Sequence, residues 1–118
     1  MYSTNFFTVV NGVFGSAQEA FNKAVKDARL EHGVEGNTGT IAEKDFFVLL
    51  DVPEEKDPLI FGKESAGQHW NNFWTYLDGP AACVEISSDW LRKYQPDNTK
   101  NIKGFRMFAF FGHAYFGK

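Results

Sequence analysis

The sequence predicts a single α+β domain over residues 1–118, with one mixed β-sheet of about four strands and two main helices packed on one face. Three observations carry this. Residues 105–111 are apolar on both faces of an alternating strand, residues 16–33 keep helical spacing between a start and a stop signal, and no repeat or low-complexity linker divides the chain. A chain of 118 residues has ordinary single-domain length. It buries roughly 65% of its unfolded surface, enough for a core without disulfides or metal.

The expected order is β-α-β-α-β-(short α)-β. "NFFTVV" (Asn5–Val10) is β-branched and aromatic, and it runs into the turn dipeptide Asn11–Gly12. Ser16 and Glu19 form a capping box. Ala17, Ala20, Phe21, Ala24, Val25 and Ala28 then recur at helical spacing up to Gly33, a residue suited to end a helix. "VEGNTGT" (34–40) is a loop, and "IAEKDFFVLLD" (41–51) reads as a central strand because its second half is apolar on both faces. "VPEEKDP" (52–58) is an acidic surface loop. Ala66, Trp70, Phe73, Trp74 and Leu77 place the second helix before Gly79–Pro80, with His69 at the edge of its stripe.

"AACVEIS" (81–87) is a short strand with Ala82, Val84 and Ile86 on one face and Cys83 and Glu85 on the other. A short helix follows from Ser87 or Ser88 to Pro96, then a turn at "DNTKN" (97–101). The last strand directs Phe105, Met107, Ala109 and Phe111 one way and Arg106, Phe108 and Phe110 the other. If helices cover only one face of the sheet, its other apolar face needs a loop, a ligand or another copy of the chain, which points to a homo-oligomer.

Phe, Trp and Tyr make up 17% of the residues, so large rings fill the interior. The one cysteine, Cys83, allows no intrachain disulfide. "MYSTNFFTVV" has neither the basic nor the apolar region of a secretory signal, and no apolar run reaches the roughly 18 residues of a membrane span. The expected location is cytoplasmic, away from membranes. Charge is uneven: residues 1–89 hold 6 Lys/Arg against 14 Asp/Glu, and residues 90–118 hold 6 against Asp97 alone. The plain reading is internal pairing of a basic last strand with acidic elements, Glu85 with Arg106 foremost. The sharper one is an anion-facing surface at the C-terminal end.

"KGFRMFAF" (Lys103–Phe110) matches the RNA-recognition strand motif at Lys103, Gly104, Phe105 and Phe110. Arg106 stands where Gly or Ala belongs and Met107 where a stacking ring belongs. The motif also comes too near the end of the chain for that fold. The loop His32–Thr40 invites a phosphate-cradle reading, but it follows a helix instead of preceding one and lacks the Lys-Ser/Thr ending of a P-loop. Its remaining reading is a ligand-facing loop with Asn37, Thr38 and Thr40 as donors beside His32. His32, His69 and His113 have no metal-ligand spacing, and Cys83 has no CxxC partner, so no metal or cofactor is expected.

The motifs "A…A…EHG…GTIAEK" (Ala24–Lys44), "GPAACVEI" (Gly79–Ile86) and "FAFFGHA" (Phe108–Ala114) together resemble a set of small bacteriophage and mobile-element proteins. These share a helix–HG–loop–GTI pattern, a P-x-x-x-[IV]-E-[IL] strand and a terminal FFG[WH]A strand. His113 departs from the Trp expected at its position. The resemblance implies a context, an accessory product acting in a bacterial cytoplasm, and brings no catalytic residues.

The leading expectation is a non-enzymatic, homo-oligomeric accessory or counter-defence protein that sequesters a small ligand or binds a host protein. Candidate ligand contacts are His32, Asn37, Thr38, Thr40, Arg106 and His113; candidate interface residues are Phe108, Phe110 and Phe116. One alternative is an RNA or single-strand binder using the basic aromatic tail, and another is a small hydrolase or transferase using His32 or His113.

Overall fold

The computed structural model describes residues 2–33, 37–68, 72–94 and 102–117. The expectations placed on His69, Trp70, Pro96 and the turn at 97–101 lie outside them. Two long strands, β1 (Tyr2–Val13) and the last strand β5 (Phe105–Gly117), pair antiparallel along their whole length. β5 is central. Its other side takes β4 (Ala81–Ile86), antiparallel, and beyond that strand's reach the two-residue β2 (Asn37–Thr38). A three-residue strand, β3 (Phe47–Leu49), pairs parallel to β4, giving a mixed sheet of order β1-β5-β4-β3. The α+β class, the single mixed sheet and the number of main helices agree with the sequence reading.

Helix α1 (Ala17–His32) begins as its capping signal dictates: the Ser16 hydroxyl accepts from the Glu19 N–H at 3.2 Å. The Glu19 carboxylate accepts from Gly15. Gly33, at φ 84°, donates to the Arg29 carbonyl and stops the helix. Ala20, Ala24 and Ala28 let α1 lie close to the sheet, while Phe21 inserts against Phe47 and Phe110 at ring separations of 5.1 and 5.6 Å.

Helix α2 (Pro58–Ala66) lies upstream of the expected helix. Asp57 accepts from the Leu59 and Ile60 N–H groups and Pro58 occupies the first turn, so the true start is an Asp–Pro cap inside the segment read as an acidic loop. The expected apolar stripe from Ala66 to Leu77 instead ends α2 and, at Phe73–Thr75, forms a single 3-10 turn that buries Trp74. α3 (Ser88–Tyr94) follows β4, as expected.

Two further expectations change. β3 is an edge strand, with Val48 and Leu49 exposed, because Ile41–Glu43 turns as a 3-10 helix and leaves only three residues to pair. The main helices also lie on opposite faces. α1 covers Phe108, Phe110, Cys83 and Ala81; α2, with α3 residues and Trp74, covers Met107, Ala109, Phe111, Ala82, Val84 and Ile86. Both apolar faces of β5 are thus filled within one chain, which removes the reason for self-association that rested on an uncovered face.

Candidate functional site

Helix α1 has two flanks beside its buried stripe. On the flank toward β3, Asn22, Val25, Lys26, Arg29 and Leu30 face Lys44 and Asp45 across a groove of about 530 Å³ floored by Phe21. The residues of this flank recur at helical spacing, so one helix supplies both the apolar wall and the cations. Leu30 is 77% exposed. Among the described residues, no carboxylate lies within ion-pair distance of Lys26 or Arg29.

The facing wall is tied to a distant loop through one buried ammonium. Lys44 is 4% exposed, and its ammonium donates to the carbonyls of Tyr76, Leu77 and Gly79 at 3.2, 3.2 and 3.0 Å. All three of its protons are used. Burial lowers its pKa, and the neighbouring Asp78 works the other way. Lys44 therefore fixes the wall, while Lys26 and Arg29 remain available to an incoming anion. Arg29 offers a planar fork suited to carboxylate or phosphate. The apolar floor beside it suits a ligand that carries a hydrophobic body.

No family model, curated protein or solved structure matches the chain. The groove is accordingly interpreted from its own chemistry, since a fold by itself assigns no activity. Lys26 and Arg29 were not singled out in the sequence. The available signal was two cations three residues apart, Lys26 and Arg29, followed by Leu30, an apolar residue outside the buried stripe.

The residues that the sequence put forward are dispersed. Thr38 donates its hydroxyl (2.7 Å) and its N–H (3.0 Å) to the Glu43 carboxylate, its oxygen lies 2.7 Å from that of Thr40, and Thr40 accepts from the Ala42 N–H. These groups brace the loop and leave no donor directed at a ligand. Asn37 pairs through its backbone with Gly117. Gly39 closes the brace: at φ 71° it donates to the Tyr115 carbonyl, and a Cβ there would sit 2.6 Å from Thr4. His32 is exposed at the end of α1, near Thr8 and Thr40. His113 follows Met107, Ala109 and Phe111 in strand alternation, which puts it on the α2 side of the sheet, away from α1. The sheet lies between the two histidines, so they do not form an acid–base pair.

Arg106 forms the expected pair with Glu85, bidentate at 2.9 Å through Nε and Nη2, and its guanidinium lies 5.1 Å from the Phe108 ring centre. Lys93 likewise pairs with Asp57 at 2.8 Å. Two cations of the basic C-terminal end are thus neutralised internally. Phe108 and Phe110 are 0% exposed beneath α1, which corrects their reading as interface residues and takes both rings out of any base-stacking surface. Phe116 is half exposed. Cys83 is fully buried, and burial, helped by Glu85, pushes its thiol up to about 12, so it stays protonated and unreactive at neutral pH. No described helix is long and apolar enough to cross a membrane.

Proposed function

We propose that this protein is a non-enzymatic binding protein whose α1 groove takes a small ligand carrying an anionic group beside an apolar body. The observation that carries this reading is that two cations with no ion-pair partner among the described residues, Lys26 and Arg29, stand beside the apolar Phe21, Val25 and Leu30 in one groove, with Asp45 on the facing wall. A charge-assisted contact to each cation orients the ligand, and the apolar floor adds affinity by removing its hydrophobic part from water. The non-enzymatic reading draws support from the protonated, buried Cys83 and from the sheet that separates His32 from His113. The resemblance to small bacteriophage and mobile-element proteins supplies the setting: an accessory or counter-defence factor that sequesters a ligand in a bacterial cytoplasm.

Isothermal calorimetry with decanoate and with phenyl phosphate tests the reading. Saturable one-to-one binding of at least one probe is expected, weakened about tenfold or more by Lys26→Glu or Arg29→Glu and falling as salt rises. Decanol, which has the same chain length as decanoate but no charge, should bind more weakly than decanoate. The absence of binding by either anion, or equal binding by wild type and both variants, would refute the proposal.

A further inference from the structure

The outer edge of β1 is long and unprotected. Its twelve residues span about 40 Å at strand rise, close to the 44 Å long dimension of the molecule. Its register with β5 runs from Tyr2↔Phe116 to Val13↔Phe105 without a skipped residue, so no bulge turns the edge aside. The segment YSTNFFTVVNGV contains no Asp, Glu, Lys, Arg or Pro. Among the described residues, no backbone segment other than β5 pairs with it. Sheet edges are ordinarily protected by shortness, charge, proline or a bulge, because a bare row of N–H and C=O groups recruits another strand. The opposite edge, β3, is guarded in this way: it has three residues and lies close to Lys44, Asp45 and Asp51.

We propose that β1 pairs antiparallel with β1 of a second copy about a two-fold axis, joining the two sheets into one. Such an interface must be complementary to itself. A strand without charge meets that demand, because neither copy repels the other. The neighbouring flank of α1 meets it as well. There Asp27 and Glu31 border a cleft of about 260 Å³ with Thr8, Val9 and Val10, and Lys23 pairs with Asp27 at 2.9 Å. Pairing of this kind keeps both copies of α1 on the same side of the joined sheet. The two-fold axis reverses one row relative to the other, turning the Lys23 end of one toward the Glu31 end of its partner. Val9 and the 64% exposed Val13 lose water contact in the same step. This flank is not the one that lines the anion groove, so the proposal does not depend on that function.

Sedimentation velocity and native mass spectrometry of the wild-type chain should give twice the 13.4 kDa of one copy. Cysteine is then placed singly at Ser3, Asn5, Phe7, Val9, Asn11 and Val13 and oxidised; the buried Cys83 does not compete. Across a two-fold axis, a residue two positions from the centre lies roughly 14 Å from its counterpart, beyond disulfide reach. Crosslinking should therefore be confined to one or two neighbouring positions of the series. Val9→Lys and Asn11→Lys should each weaken the dimer at least tenfold while the circular dichroism spectrum of a folded chain is retained. A monomer at every concentration up to about 100 µM would overturn the proposal and leave the edge to a strand from another protein. So would a dimer that crosslinks at none or all of the six positions, or one that persists in both lysine variants.

Discussion

Asp57 shows how much of this fold depends on single polar side chains. One carboxylate oxygen caps α2 through Leu59 and Ile60, and the other accepts from Lys93 and from the Tyr94 hydroxyl, tying α2 to α3. Burial pushes the carboxyl up, but the donors from Lys93, Tyr94, Leu59 and Ile60 outweigh it and leave its pKa below the ordinary 3.8. A carboxyl whose folded pKa lies below its unfolded value adds stability that is fully present above the unfolded value. That stability is lost as pH falls through the folded one. Asp57→Asn should therefore cost stability at pH 7, about 2 kcal/mol for a weakened cap and a lost charged partner. The gap between wild type and variant, measured by urea unfolding, should close as pH falls below about 4. A gap that stays constant from pH 7 to pH 3 would show that the ionised carboxylate contributes nothing.

Among the elements, those with a strictly local cause were legible in the sequence. The Ser16–Glu19 box and Gly33 delimit α1, and the alternation of Ala82, Val84 and Ile86 defines β4; the Glu85–Arg106 pair, 21 residues apart, was legible from charge alone, as a mid-strand carboxylate in need of a cation. Elements decided by competition between signals were not. Ala66, Phe73, Trp74 and Leu77 keep helical spacing, yet the Asp57–Pro58 cap and Gly67 confine α2 upstream, and Trp74 is buried by a single turn. The groove could not be read for a similar reason, since its far wall depends on contacts made across more than thirty residues. Lys44 holds that wall, and its removal tests the role. Lys44→Met should leave three carbonyls without their shared donor and loosen residues 76–79. Amide exchange at Tyr76 and Gly79, which now donate to Phe73 and Tyr76 respectively, should quicken about tenfold, while Phe110 keeps its protection. Unchanged exchange at those two amides would assign the loop's order to its backbone turns.

At the scale of the whole molecule, the decisive feature is that β5 is buried on both sides, and this was half visible in advance. The sequence displays two apolar faces, Phe105–Met107–Ala109–Phe111 and Phe108–Phe110, but strand alternation does not reveal which helix crosses which face. Chain connections settle it: α1 follows β1 and packs over Phe108 and Phe110, whereas α2 links the parallel pair β3 and β4 across the other face. The two cores can be probed by neighbouring residues whose rings share no aromatic partner. Phe110 meets Phe21 and Phe47, each at 5.6 Å, and Phe111 meets Trp74 at 5.6 Å and stacks on Phe7 at 5.8 Å. Phe110→Ala and Phe111→Ala should each cost about 3–5 kcal/mol, the range for removing a fully buried ring. Against a total of about 5–15 kcal/mol, either loss leaves the chain marginal, with its urea midpoint displaced far downward. With only one face covered, one of the two substitutions would be nearly silent. A cost below about 1 kcal/mol for either would therefore mean that its side of the sheet is open to water, and the case for a second copy would return from the edge of the sheet to that face.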